Sequence, residues 1–223
     1  MMVRAKICGL KDELALEASV INGAAFVGLN FYDPSPRFVD IQNGGRLAAM
    51  VPREFTKVVA LTVNADDVYL DTIMEHVAPD FIQLHGQETV ERVADIRRAF
   101  GLPVIKAIPI ADAEDIEIAK EFDEVSDWLL FDAKPTTSSE ANLPGGNGIS
   151  FDWQLLQGQN WTHPWMLSGG LVAGTVCEAA RLTGAHFVDV ASGVESVRGQ
   201  KDPGLIKEFL QCVAHCGESA VET

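Results

Sequence analysis

Short runs of β-branched and aromatic residues alternate along the chain with longer stretches whose apolar positions recur every three or four residues. Runs of the first kind, bounded by polar turns, read as strands; the wider spacing reads as amphipathic helix. Eight strands are predicted, at Ala5–Cys8, Phe26–Phe31, Lys57–Thr62, Phe81–His85, Val104–Ile108, Trp128–Asp132, Pro164–Ser168 and Phe187–Val190. Between them, Asp66–His76 puts Val68, Ile73 and Val77 on one helical face, and Thr89–Ala99 repeats Val90, Val93, Ile96 and Ala99. The last helix carries a start signal: Asp202 can cap it, Pro203 suits its first turn, and Leu205, Ile206, Phe209, Leu210 and Val213 form its buried stripe. Eight strand–helix units predict an α/β fold, a single-domain (β/α)8 TIM barrel; an open doubly wound sheet is the competitor that the strand count disfavours.

No shift in composition splits the chain, so one catalytic domain is expected over 1–216, with 217–223 as a frayed tail. The polar stretch Lys134–Ser150, ending in Gly145, Gly146 and Gly148, follows a strand at the chemical face and reads as a mobile lid. Seventeen basic against 32 acidic residues give a formal charge of −15. Such a surface repels nucleic acid and anionic membrane, so any anionic ligand must be held locally, by backbone N–H groups and a few basic side chains. The N-terminus has no signal-like apolar region, and no run reaches the length of a membrane span. The four cysteines, Cys8, Cys177, Cys212 and Cys216, show no secreted spacing, which predicts free thiols in a reducing cytoplasm. Cys212, His215 and Cys216 share part of one helix surface, but without a second ligand pair they are a weak zinc candidate.

Barrel chemistry gathers at the C-terminal ends of strands, and alternation along each strand decides which residues point inward. That rule aligns Lys6 with Cys8, Gln83 with His85, and Leu130 with Asp132, leaving Phe131 toward the helices and Asp189 inward on the eighth strand. A ring of Cys8, His85, Asp132 and Asp189 is more polar than a packing layer requires. Taken alone, a cysteine is most often core packing; the strand-end position and the following Gly9 point Cys8 toward function. Asp132 closes an apolar run, where a carboxyl tends to keep its proton, and Gln83 reads as structural. Gly169 with Gly170, and Ser192 with Gly193, supply small residues after the seventh and eighth strands, where barrels hold phosphate. Arg37, in a proline-stiffened loop after the second strand, offers a planar fork for a carboxylate.

Together these stretches resemble the phosphoribosylanthranilate isomerases, barrel enzymes of tryptophan biosynthesis. The resemblance runs from Lys6 to about Phe209 and rests on KICG at Lys6–Gly9, SPRFV at Ser35–Val39 and FIQLHGQE at Phe81–Glu88. LLFDAK at Leu129–Lys134, GGNGISFDW at Gly145–Trp153, LSGGL at Leu167–Leu171, DVASGVE at Asp189–Glu195 and GQKD at Gly199–Asp202 complete it. It implies an Amadori rearrangement of N-(5-phosphoribosyl)anthranilate, a small phosphorylated substrate, without cofactor or metal. On the matching positions Cys8 is the general base and Asp132 the general acid. Arg37 holds the anthranilate carboxylate, His85 and Asp189 lie around the substrate, and Gly169, Gly170, Ser192 and Gly193 bind the phosphate. Ala191 and Asn147 depart from residues common in the family, and neither departure removes the acid or base. A related histidine-pathway isomerase generally has a carboxylate where Cys8 stands, and a non-catalytic phosphate sensor has no use for Cys8 and Asp132. Either a monomer or a homodimer fits the sequence. A thiol of ordinary pKa is mostly protonated at neutral pH, so the expectation is that Lys6 shifts Cys8 downward.

Overall fold

The computed structural model describes residues 2–134 and 151–216. Eight parallel strands close into one barrel in chain order: β1 (Arg4–Cys8), β2 (Phe26–Asn30), β3 (Lys57–Thr62), β4 (Phe81–Leu84), β5 (Val104–Ile110), β6 (Trp128–Ala133), β7 (Trp165–Leu167) and β8 (Phe187–Val190). Register passes from Lys6 opposite Phe26 round to Lys6 opposite Asp189, closing the ring. Each predicted strand lies within one or two residues of an observed one.

Outside the barrel are α1 (Glu13–Ile21), α2 (Ile41–Ala49), α3 (Asp67–Val77), α4 (Val90–Phe100), α5 (Ala113–Asp123), α6 (Val176–Thr183) and α7 (Pro203–His215). Their starts follow ordinary capping chemistry: Asp66, Thr89 and Asp202 each accept a first-turn backbone N–H. Ile206, Phe209, Leu210 and Val213 are buried on α7 as the pattern requires. On α3 the buried face is Leu70, Ile73 and Val77, whereas Val68 is exposed; the predicted stripe was rotated at its first position. The corresponding face of α4 narrows to Val93 and Ile96. Between β6 and β7 the described residues hold a 3-10 turn, Trp153–Leu156, in place of a helix. The lid expected within Lys134–Ser150 and the frayed tail at 217–223 lie outside the described residues, Lys134 itself excepted.

Inward positions of the even strands form layers of four. Phe26, Phe81, Trp128 and Phe187 open β2, β4, β6 and β8 and meet edge to face, with centroids 4.7–6.1 Å apart. They seal the N-terminal end. Two residues on, the same strands carry Gly28, Gln83, Leu130 and Asp189, and two further on Asn30, His85 and Asp132. Val59, Ile105, Ala107, Leu130 and Met166 fill the space between with apolar side chains. The larger core lies outside the sheet, where Ile7, Leu29, Phe131 and Val188 pack against the helices.

The cysteine reading needs correction. Cys177 on α6 and Cys216 at the end of α7 form a disulfide, with Cα atoms 4.9 Å apart, while Cys8 and Cys212 are free. The packing of α6 against α7 brings together positions separated by 39 residues, which spacing could not reveal. It also removes Cys216 from the weak zinc candidate. Among the described residues, no helix is long and apolar enough to cross a membrane.

Candidate active site

Cys8 ends β1 with its side chain buried, beside Lys6 two residues earlier on the same face. Lys6 is 0% exposed and donates to Asp189 Oδ1 on β8 at 2.7 Å. Ser168, just past β7, donates to the other Asp189 oxygen at 3.2 Å. Burial lowers the Lys6 ammonium, but Asp189 and Cys8 together outweigh that, and Lys6 is held above the usual lysine value. The expected downward shift of Cys8 is overturned. Burial pushes the thiol up; Lys6 and Lys201 pull it down and Asp189 opposes them, leaving Cys8 above its usual value. The physical reason is that desolvation of the buried thiol exceeds the pull of the Lys6 charge, part of which the neighbouring Asp189 carboxylate cancels.

Asp132 lies on β6, three strands from β1 around the ring, and is 6% exposed. Its Oδ1 accepts the Ala133 backbone N–H at 2.9 Å, and its Oδ2 lies 3.4 Å from Nε2 of His85. The other imidazole nitrogen, Nδ1, is 2.8 Å from the amide nitrogen of Gln83. Gln83 is fully buried and so does more than pack: it holds the imidazole ring with Nε2 facing the carboxyl.

Arg37 is 5% exposed in the loop after β2. Ser35 ties that loop together, accepting the Arg37 backbone N–H at 3.2 Å and the Asn30 side-chain amide at 3.1 Å. The guanidinium does not stand alone: its Nε and Nη2 meet Glu195 at 2.7 and 2.9 Å. Glu195 also takes Lys201 at 2.7 Å. These two residues belong to a hairpin of β9 (Glu195–Val197) and β10 (Gln200–Lys201), beyond the barrel strands. Both fall inside quoted motifs, yet neither was a predicted site residue, because nothing local links position 37 to 195.

The small-residue turns are where they were expected. Gly169 and Gly170, following β7, have φ of 90° and 64°, a left-handed pair that side-chain-bearing residues rarely adopt. Ser192 and Gly193 lie in the 3-10 turn Ser192–Val194, following β8. A Cβ on Gly193 would run into the Leu171 carbonyl oxygen, so the two turns touch backbone to backbone. Cys8, His85 and Asp132 therefore share the C-terminal end of the barrel with both turns, and Asp189 lies one layer below them. Chemically, this mouth offers a thiol, a carboxyl with an N–H aimed at it, a guanidinium, and two backbone-rich turns.

Residues 5–212 match the family model for N-(5'-phosphoribosyl)anthranilate isomerase. The isomerase of that name from Cereibacter sphaeroides is 51% identical over 209 residues, covering 94% of this chain and 97% of the relative. The crystal structure of phosphoribosyl anthranilate isomerase from Thermotoga maritima is 32% identical, with a TM-score of 0.84, covering 95% of this chain and 98% of its own. A structure of phosphoribosyl anthranilate isomerase in complex with reduced 1-(o-carboxyphenylamino)-1-deoxyribulose 5-phosphate is 30% identical, with a TM-score of 0.79 and the same coverage.

Proposed function

This chain belongs to the N-(5'-phosphoribosyl)anthranilate isomerase family of tryptophan biosynthesis, and from that premise we propose that Cys8 and Asp132 are its general base and general acid. The observation carrying this reading is the pair itself: a buried thiol on β1 beside Lys6 and a buried carboxyl on β6 beside His85, each at the mouth of one barrel.

The substrate is a closed aminofuranose. Asp132 donates a proton to the ring oxygen as the C1–O bond breaks, leaving a cationic Schiff base. His85 and the Ala133 N–H then face the newly formed carboxylate, which favours the transfer. The iminium charge acidifies the hydrogen on C2. Cys8, as thiolate, removes it, and the resulting enolamine tautomerises to the ketone. A raised pKa makes the thiolate scarcer but a stronger base, a trade that Brønsted behaviour permits. Lys6 and Lys201 supply the positive surroundings in which that thiolate forms, with Asp189 as the counter-ion of Lys6.

Arg37 takes the anthranilate carboxylate, and Gly169, Gly170, Ser192 and Gly193 take the phosphate at the other end of the molecule. Clamping both ends holds C2 against Cys8 and converts binding energy into orientation. The bound phosphorylated analogue in the related isomerase supports a substrate of this kind. We assign the enzyme to the cytoplasm, since a sugar phosphate bearing a second anionic group does not cross a bilayer unaided. The test is to add purified protein to freshly prepared phosphoribosylanthranilate and follow anthranilate fluorescence. Loss of signal at a rate proportional to enzyme is expected, and a rate equal to the blank rules the reading out.

A further inference from the structure

Position 195 lies 158 residues beyond position 37, yet its carboxylate aims the Arg37 guanidinium. Both oxygens are used: Oε1 takes Nε at 2.7 Å and Oε2 takes Nη2 at 2.9 Å, the planar fork-to-fork geometry that fixes direction as well as distance. The same carboxylate is held from two other sides, by Lys201 Nζ on Oε1 at 2.7 Å and by the Gly199 backbone N–H on Oε2 at 3.0 Å. Side-chain exposures of 6% for Arg37, 4% for Glu195 and 0% for Lys201 place the cluster out of water, unlike an exposed pair that solvent would loosen. Lys201 Nζ also donates to the Ala191 carbonyl at 2.7 Å, immediately before Ser192. Gly9 presses against the aliphatic stem of Arg37 so closely that a Cβ there would lie 2.6 Å from its Cδ. The Arg37 side chain is thus held at its guanidinium by the hairpin and along its stem by the residue that follows β1.

We propose that Glu195 is a positioning residue: it aims Arg37 at the substrate carboxylate and, through Lys201 and Ala191, sets that subsite at a fixed span from the turn at Ser192–Gly193. The two anionic ends of the substrate then meet a ruler set before binding, so less of the binding energy is spent on ordering the site itself. The inference rests on Arg37 being the carboxylate ligand.

The experiment measures kcat and KM for Arg37→Ala, Glu195→Gln and the double variant. Glu195→Gln should raise KM by about tenfold with kcat within about twofold, because the loss is in holding the substrate. In the Arg37→Ala background the same change should add almost nothing, since nothing is left to aim. An unchanged or lowered KM in Glu195→Gln, or fold-changes that multiply in the double variant, overturns the proposal. A normal KM in Arg37→Ala overturns the carboxylate assignment itself and takes the inference with it, so the two failures are told apart. Should Glu195→Gln not fold, Glu195→Asp keeps the charge but shortens its reach; KM should still rise with kcat preserved, and a normal KM contradicts the role.

Discussion

The two ends of the barrel are made by the same eight strands and have opposite chemistry. At the N-terminal end the even strands begin with Phe26, Phe81, Trp128 and Phe187, packed edge to face into an aromatic seal, with Arg4 stacked over Phe187. Four residues further along three of those strands stand Asn30, His85 and Asp132, and between them the ion pair Lys6–Asp189 is buried in the barrel. A two-residue period carries one face of each strand from an apolar floor to a reactive mouth within about 13 Å. Stability and chemistry therefore reside at opposite ends. The floor needs only well-packed rings, whereas every charge at the mouth needs a partner, and those partners come from distant segments. Side chains at the mouth are consequently committed to one another before any substrate arrives.

This contrast can be broken at either end, and the largest effect is expected at the mouth. Cys8→Ser and Asp132→Asn should each cut kcat by about 10²–10⁴, the usual worth of a general base or acid, with thermal unfolding barely moved. Retention of near-normal turnover in either variant removes that residue from the mechanism. At the floor the signs reverse. Phe26→Ala should cost about 3 kcal/mol of stability, read by urea unfolding, while kcat per folded molecule stays close to wild type. A floor variant that folds normally but loses turnover would erase the division between the two ends.

The next effect concerns the thiol. Because burial holds Cys8 above its usual value, its alkylation rate should keep climbing through pH 9, by close to tenfold per unit below the pKa. A plateau reached below pH 8 would mean that the cations outweigh burial after all. The smallest effect is at the Arg37 cluster. Burial alone would raise the Glu195 carboxyl, but Arg37 and Lys201 hold it down to about 2 from an ordinary 4.5. Its folded pKa is depressed, so its stabilisation is complete above pH 4.5 and is lost as the pH falls toward 2. The Tm gap between wild type and Glu195→Gln, of a few degrees near neutrality, should therefore close over that window. A gap that persists unchanged to pH 2 shows that the pair does not set it.

The barrel was legible because each parallel strand is buried on both faces and so appears as a compact apolar run, and because Asp66, Thr89 and Asp202 advertise helix starts. Phe131 outward and Leu130 inward followed from alternation alone. Val68 misled because five residues turn a helix about 140°, so it points away from the buried face of Leu70, Ile73 and Val77. At the mouth, strand ends and small-residue turns marked Cys8, His85, Asp132, Asp189, Gly169, Gly170, Ser192 and Gly193. What they touch was not legible. The Gln83–His85–Asp132 chain depends on rotamers, and the Arg37–Glu195–Lys201 cluster depends on a hairpin folding back across the barrel. Lys6 was correctly singled out beside Cys8, but its effect was misjudged because sequence shows a charge without its counter-ion. The disulfide between Cys177 and Cys216 was hidden for the same reason, since it depends on how α6 meets α7.

The central claim is that thiol and carboxyl act on one sugar skeleton from separate strands. A crystal structure of this enzyme with reduced 1-(o-carboxyphenylamino)-1-deoxyribulose 5-phosphate tests it most directly. It should show C2 within about 3.5 Å of Cys8 Sγ, Asp132 on the side of the former ring oxygen, and the carboxylate on Arg37. An analogue seated with C2 beyond reach of Cys8, or with its carboxylate away from Arg37, would contradict the account.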